Sequence, residues 1–504
     1  MRKLICAVGL SVVSAAQAGV VRYVDIDAAP GGDGLTWATA HRFLQDALAG
    51  VADGTEIRVA QGVYKPDRDE ANPGGTGNRL LWFDLGFDND CCFPHKYATC
   101  TDEACETLVC AIDPLCCDCC INDWEQACAD LAAIVCGDIC EVSSGVALIG
   151  GYAGLGAPDP DTRDPDLYVT VLTGDLLDND VPMPDLHDPS LDDNSLHVLT
   201  ANGSDLVIDG FIIRGGASNT ADEQVPMRWG AGLLVIAGNV TVQSCTFTGN
   251  VDSAYGGAIA LFLGTQATLT DCTVTGNSAL SGGGICLIES SLTLVNCEIS
   301  GNISFNEGAG VYAIQSELVA LDSTFNDNIN ETNRGGGIHA RNQSTLALTN
   351  CTFSGNDGAK EGGGLYVKIS NGILTSCTFT GNTAGWGGGV YLETSYEGLI
   401  LDGCTFDSNT AVFGGAVRDD NGVLTVTDTL FTGNSASRGG AVDANANGSY
   451  SDCTFIANSS TDRGGAVNEE GASTFTNCLF ANNFSNHSGA VSIGFSSPDL
   501  IDCT

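Results

Sequence analysis

Apolar and polar positions repeat through the second half of the chain with a period close to 26 residues. An asparagine returns at Asn250, Asn277, Asn302, Asn328, Asn356, Asn382, Asn409, Asn434, Asn458 and Asn483, at spacings of 24 to 28 residues. Three positions before each stands an apolar side chain: Phe247, Val274, Ile299, Phe325, Phe353, Phe379, Phe406, Phe431, Phe455 and Phe480. Five before, cysteine fills eight of ten copies, with Ser323 and Thr429 the exceptions. Eight before runs a further column from Val242, Leu269 and Leu294 to Tyr450 and Phe475. After most asparagines come a glycine pair or triple and an aliphatic residue, as in Gly256-Gly257-Ala258-Ile259 and Gly335-Gly336-Gly337-Ile338.

Short segments of Thr, Val, Ile, Leu and Phe punctuated by glycine predict strands, because no ten-residue stretch keeps the helical i, i+3, i+4, i+7 spacing. Three short strands fill a turn of about 26 residues, and successive turns lie about 4.8 Å apart, the usual interstrand distance. Identical positions then stack, Phe on Phe in the core and Asn on Asn at a corner. The amide both donates and accepts, so it passes hydrogen bonds from rung to rung. A single rung buries too little to offset its ordering entropy, so stability belongs to the stack. The pattern predicts an all-β, right-handed parallel β-helix of three strands per rung, the hand following the preference for right-handed crossovers.

The paired F-x-x-N and G-G-A-[I/V] motifs resemble the repeats of polymorphic outer-membrane proteins, within the broad pectate-lyase-like β-helix group. The resemblance covers residues 205–504. It implies a surface protein that usually ends in an outer-membrane autotransporter barrel, a segment absent from this sequence. Leu500-Ile501-Asp502-Cys503-Thr504 open one more repeat. The expectation is therefore a truncated gene or fragment, with outer-membrane association through a missing C-terminal segment.

Arg2 and Lys3 precede an apolar run from Leu4 to Val13 and then Ala16-Gln17-Ala18. This order predicts a secretory signal over residues 1–18, cleaved between Ala18 and Gly19. The expected location is the cell surface or the medium, where disulfides persist. Residues 19–87 are expected to hold an N-terminal cap and the first strands. Phe43, Leu44, Ala47, Leu48 and Val51 make one face of a helix predicted over Ala40–Val51, with strands at Glu56–Ala60 and Gly62–Tyr64. The segments around Trp37, Ile57–Pro66 and Gly145–Gly154 resemble the start of bacterial secreted β-helix proteins. That resemblance implies a helix covering the open end of the first rung. Residues 88–141 form an insertion whose twelve cysteines predict a disulfide scaffold, with a helix at Asn122–Val135. Zinc at the overlapping C-x-x-C pairs of Cys116–Cys120 is the competing reading. The segment Asp113–Cys117 with Trp124 and Cys128 also resembles small cysteine-rich modules of bacterial secreted proteins. Residues 142–232 read as early rungs with acidic loops, and 233–504 as the regular repeat. The ladder cysteines, from Cys245 to Cys478, stack too closely for most disulfides and read as buried thiols.

Charge narrows the partners. Among 504 residues, 19 Lys and Arg face 62 Asp and Glu, a net charge of −43. That balance excludes a nucleic-acid reader and disfavours an anionic membrane surface. No stretch approaches the roughly 18 apolar residues of a transmembrane helix. Asp159, Asp161, Asp164 and Asp166, then Asp175, Asp178 and Asp180, have the density of a calcium loop without an EF-hand or nonapeptide pattern, so solvated acidic loops compete with calcium, the one cofactor considered.

Chemistry is sparsely signalled. Arg418-Asp419-Asp420 and Asp192-Asp193 offer carboxylate pairs of the kind glycoside hydrolysis needs. Neither is accompanied by the G-H-G or R-I-K segments of polygalacturonases, and the six histidines show no nucleophile partner or metal spacing. No catalytic residue is assigned. The residue preceding each glycine motif forms its own column. It includes an alternating charge ladder, Glu307, Arg334 and Glu361, and an aromatic pair, Trp386 over Phe413, placed to receive a sugar ring or a protein. Local stacking is the alternative. The sequence thus predicts an exported, non-catalytic β-helix with an adhesive or envelope-structural role toward carbohydrate or a host or neighbouring cell surface. The alternative is an extracellular polysaccharide lyase or glycoside hydrolase of the pectate-lyase-like fold.

Overall fold

The computed structural model describes residues 20–504 apart from 50, 53, 80–82, 85–94, 97–122, 125–144, 182–185, 187, 203–204, 219–228, 396–397 and 495–497. The signal over 1–18, its Ala18–Gly19 junction and the insertion cysteines lie outside the described residues. Within the insertion His95–Lys96 pairs antiparallel with Asp123–Trp124, so those two residues of the helix expected over Asn122–Val135 are extended, and the rest of that expectation lies outside the described residues.

Three parallel sheets run along the molecule, A with 15 strands and B and C with 13 each, and five short strands form a corner sheet between B and C. One turn illustrates the path. Gln266–Thr270 lies in sheet A, Thr273–Thr275 in B, Ser278–Ser281 in the corner sheet and Ile285–Ile288 in C, before Ser291–Val295 re-enters A beside its predecessor. The register repeats residue for residue, Leu269 on Leu294 and Phe353 on Phe379. Chain direction is the same in every sheet because each strand meets the strand one full turn later.

Corners are set by local chemistry. The residue before each ladder cysteine takes positive φ and is mostly Asp, Asn or Ser, as at Asp271 (52°) and Asn296 (52°). Short polar side chains tolerate that left-handed conformation better than others do. Close approach dictates glycine at Gly310, where a Cβ would lie 2.4 Å from the carbonyl of Gly337. The predicted asparagine ladder is continuous from Asn250 to Asn483. Each Nδ2 donates to Oδ1 of the next asparagine, at 2.9–3.1 Å throughout. Nδ2 also donates to the carbonyl of the apolar residue one turn back, Ile213 for Asn250, Phe247 for Asn277 and Phe325 for Asn356. Every buried polar atom of the ladder thus has a partner, which makes an interior amide tolerable.

Beneath that corner the phenylalanines stack face to face, Phe353 on Phe379 at 4.5 Å and Phe379 on Phe406 at 4.8 Å. The ladder cysteines from Cys245 to Cys478 are buried free thiols. Each S–H donates to a carbonyl of the previous turn, as Cys272 does to Val242, and burial pushes Cys245 up to about 12. At the N-terminal end the helix is shorter than predicted, Leu44–Leu48. Residues before it are taken by strand-like pairing, His41 N donating to Tyr23 O and Asp25 N to His41 O. Its far end is drawn off by Arg22, which donates to the Ala49 carbonyl. Leu44 and Ala47 still cover the first rung, joining the core that contains Val24 and Phe83.

Candidate functional site

Strands of sheet C turn their first and third residues into the core and their second and fourth outward. Val311 and Ala313 belong to the interior cluster, whereas the equivalents of Tyr312, such as Leu234 and Ala260, form a separate outer cluster. The outward second position stacks as Tyr312, His339, Tyr366, Tyr391, Arg418 and Asp443. One flank is the pre-glycine column, whose bridges join Glu307, Arg334, Glu361, Trp386, Phe413 and Arg438 in order, as the sequence spacing predicts. The other flank carries Arg341, Lys368, Glu393 and Asp420.

Although outside the solenoid, Tyr312, His339, Tyr366 and Tyr391 are at most 1% exposed. The flanks close over them with ion pairs. Arg341 reaches Glu307 at 3.1 Å, and Glu307 accepts the Tyr312 hydroxyl at 2.6 Å. Arg334 pairs with Glu361 and lies over the Tyr366 ring, 5.4 Å from its centre. Lys368 meets Glu393 at 2.8 Å, and Tyr366 donates to the same carboxylate. His339 stands edge-on between Tyr312 and Tyr366, with neither ring nitrogen partnered, and burial holds it neutral, far below the usual histidine range. Burial lifts Glu361 above the usual carboxylate range despite Arg334. Burial pushes Glu393 the same way, but hydrogen bonds from Lys368 and Tyr366 outweigh it and hold Glu393 below the usual range. The result is a sealed aromatic floor under a net of charges.

The aromatic pair differs from the flat platform expected. Trp386 is 39% exposed and meets Phe413 edge-on, at 6.1 Å and 73°. The face of Phe413 is taken by Arg438, 4.5 Å from the ring centre, because a guanidinium is attracted to the electron-rich face. Trp386 is therefore the more exposed ring of the pair.

The carboxylate pairs also come apart. Asp419 and Asp420 are adjacent in a strand and so point to opposite faces, Asp419 into the core and Asp420 outward, where Arg418 lies 3.6 Å away. They cannot flank one sugar. Asp193 is spent on the Leu177 amide and the Asn179 side chain. Of the calcium candidates, Asp161 accepts from the Trp37 indole and Arg58. Asp159 and Asp164 accept amides of their own turns. Asp175 holds the amides of Asn179 and Asp180, Asp178 pairs with Lys65 at 2.7 Å, and Asp180 accepts from Asn194. Burial raises Asp180 to about 6. Asp175, Asp178 and Asp180 border a cleft of about 500 Å³ with Thr173, Arg214 and Thr248. Among the described residues no three His, Cys, Asp or Glu side chains are gathered to hold a metal ion.

The tyrosine floor and the Arg341–Lys368–Glu393 flank escaped the sequence reading. Their signal is a period of two inside the strand after each glycine motif, masked because that strand is buried on both faces.

The family model described as a right handed beta helix region matches residues 190–302 and 257–431. With the parallel topology it identifies the solenoid as a right-handed β-helix. A solved structure of pectate lyase Pel9A aligns over 94% of this chain and 78% of that one, at 9% identity and a TM-score of 0.31. Comparison with curated proteins gave no match.

Proposed function

We propose that this protein is an exported, non-catalytic β-helix that binds an extended glycan along the outer face of sheet C, in an adhesive or envelope-structural role. One observation carries this reading. On a face where Tyr312, His339, Tyr366 and Tyr391 are buried and Phe413 is partly covered, Trp386 keeps 39% of its surface exposed beside the charged column. A half-wet indole flanked by hydrogen-bonding groups suits a sugar, which presents an apolar ring face and polar edges. The stacked rungs repeat such contacts along one axis, and that favours a polymer over a small ligand. Export rests on the pattern of residues 1–18, and N-terminal sequencing of the mature protein checks it: a start at Gly19 is expected.

A glycan array or cell-binding assay compares wild type with Trp386→Ala/Phe413→Ala. Loss of an exposed stacking residue is expected to weaken binding about tenfold or more. Unchanged binding removes the proposal.

Polysaccharide cleavage is the second reading, favoured by the opposite displacement of Glu361 and Glu393 on one face. Such a split separates an acid from a base in glycosidases. Turnover assays on acidic and neutral polysaccharides, with and without calcium, decide it. Product formation that Glu361→Gln abolishes replaces binding by catalysis.

A further inference from the structure

The third, inward position of sheet C is aliphatic through Ala313, Ala340, Val367 and Leu392, and then reads Asp419, Ala444 and Glu469 in direct register. Both carboxyl groups are 0% exposed, and so is Tyr450, which points inward from sheet A. Their polar heads fall on consecutive turns of the corner between sheets C and A. Asp419 Oδ1 accepts the Gly422 amide at 2.8 Å. A Cβ placed on Gly448 would lie 3.2 Å from the Tyr450 hydroxyl, and one on Gly471 would lie 3.0 Å from Glu469 Oε1. Ala444, between the carboxyls in the ladder, contributes only a methyl group.

On earlier turns the same corner is served by hydroxyls. The amides of Ser290, Ser316 and Ser344 donate to the Oγ atoms of Ser316, Ser344 and Ser370 at 3.1–3.2 Å. That run of serine is interrupted after Ser395: at the next turn the Asp419 carboxyl caps the corner amide instead, and a serine returns only at Ser473, which accepts the Gly448 amide. The exchange leaves surplus acceptors. Asp419 Oδ2 and the Tyr450 hydroxyl have no hydrogen-bond partner, and the Glu469 carboxyl is met only by neutral donors of its own corner, Ser473 and the Gly471 amide. Among the described residues no cationic side chain enters this part of the lumen. Leu392 and Ile493 flank the column along sheet C, and Val426 and Phe475 flank Tyr450 along sheet A. The thiols of Cys453 and Cys478 are the other titratable groups facing Tyr450, while Arg418, Asp420 and Asp443 stand on the outward side of the same strands. Two carboxylates without a counter-charge in a dry core escape their desolvation by holding protons.

We propose that Asp419, Tyr450 and Glu469 form a proton-operated latch inside the solenoid. Protonated carboxyls keep turns 417–475 closed, and their ionisation loosens those turns. Burial, the dominant cause, raises Asp419 to about 6 and Glu469 to about 7. Both lie above their unfolded values, near 4 for ordinary carboxyls. The stabilisation is therefore complete below about pH 4 and declines as pH rises through the folded values. The effect reaches the outer face, because Arg418, Asp443 and Asn468 alternate with the latch residues on the same strands and carry an ion-pair and amide network.

Hydrogen exchange on the full chain, corrected for intrinsic rates, tests the latch between about pH 5 and pH 8. Protection in strands 424–427, 449–451 and 474–476 is expected to fall at least about tenfold relative to strands 338–375 of the same molecule. Asp419→Asn/Glu469→Gln is expected to abolish the difference. Should that variant fail to fold, Asp419→Asn and Glu469→Gln singly carry the comparison, each removing one titrating carboxyl and reducing the pH dependence. Equal loss in all turns, or a local decline that survives these substitutions, overturns the latch. Recovery of wild-type protection at pH 8 on adding calcium chloride also overturns it, since a cation would then be the neutralising species.

Discussion

Replacing Asn356 by alanine tests whether the asparagine ladder holds the turns together. Its Nδ2 donates to Asn382 Oδ1 at 2.9 Å and to the Phe325 carbonyl at 2.7 Å. Its Oδ1 accepts the amide and side chain of Asn328 at 3.1 and 3.0 Å. Four bonds therefore vanish together. At about 1 kcal/mol net each, the direct loss is about 4 kcal/mol, and a buried donor left unsatisfied adds 1 kcal/mol or more. Asn483 is the internal control. It accepts two bonds from Asn458 and donates one to Phe455, and it is only half-buried, so its alanine variant is expected to cost about 2 kcal/mol. Because each turn contacts only its neighbours, the damage from Asn356→Ala should concentrate in turns 325–409. Urea denaturation gives the totals, and hydrogen exchange by fragment gives the location. A cost below about 1 kcal/mol, or equal costs for the two variants, refutes the ladder as a source of stability.

Phe379→Ala removes one ring from the interior stack and should cost about 3–5 kcal/mol by thermal or chemical denaturation. Arg418→Ala strands the buried Asp443 and should cost about 3–5 kcal/mol, with Arg418→Ala/Asp443→Ala recovering part of the loss. Gly310→Ala forces a Cβ against the Gly337 carbonyl and should cost about 1–3 kcal/mol, read from the same melts. Alkylation mapped by mass spectrometry should leave Cys245 through Cys478 unmodified in the native protein and label them in denaturant, since burial hides the thiols from reagent.

The solenoid was legible because its strongest signals are periodic and local: Phe247 to Phe480 and Asn250 to Asn483 each occupy one environment repeated many times. The N-terminal helix was overestimated because periodicity cannot see that His41 pairs with the first strand. The outer face was half legible. Its pre-glycine column follows from spacing alone, but the relation of Trp386 to Phe413 depends on Arg438, a residue one turn away competing for the same ring. Asp419-Asp420 reads as a carboxylate pair in the sequence only because adjacency hides the alternation of a strand. Asp419, Tyr450 and Glu469 lie on three successive turns, and only the register brings them to one corner.

The asparagine ladder has a direction. From Asn250 to Asn458 each Nδ2 donates to the Oδ1 of the following turn as well as to a carbonyl of the turn before, and each Oδ1 receives from the turn before. Each turn therefore presents the same amide acceptor and donor to its predecessor and the same donors to its successor. Excising or duplicating one whole unit of about 26 residues would bring matching surfaces together again. Length in such a chain is a heritable dial, open to change by recombination between repeats without redesign of the junction. Residues that break the pattern, Asp419 and Glu469 among them, have no such freedom, because their partners lie a fixed number of turns away.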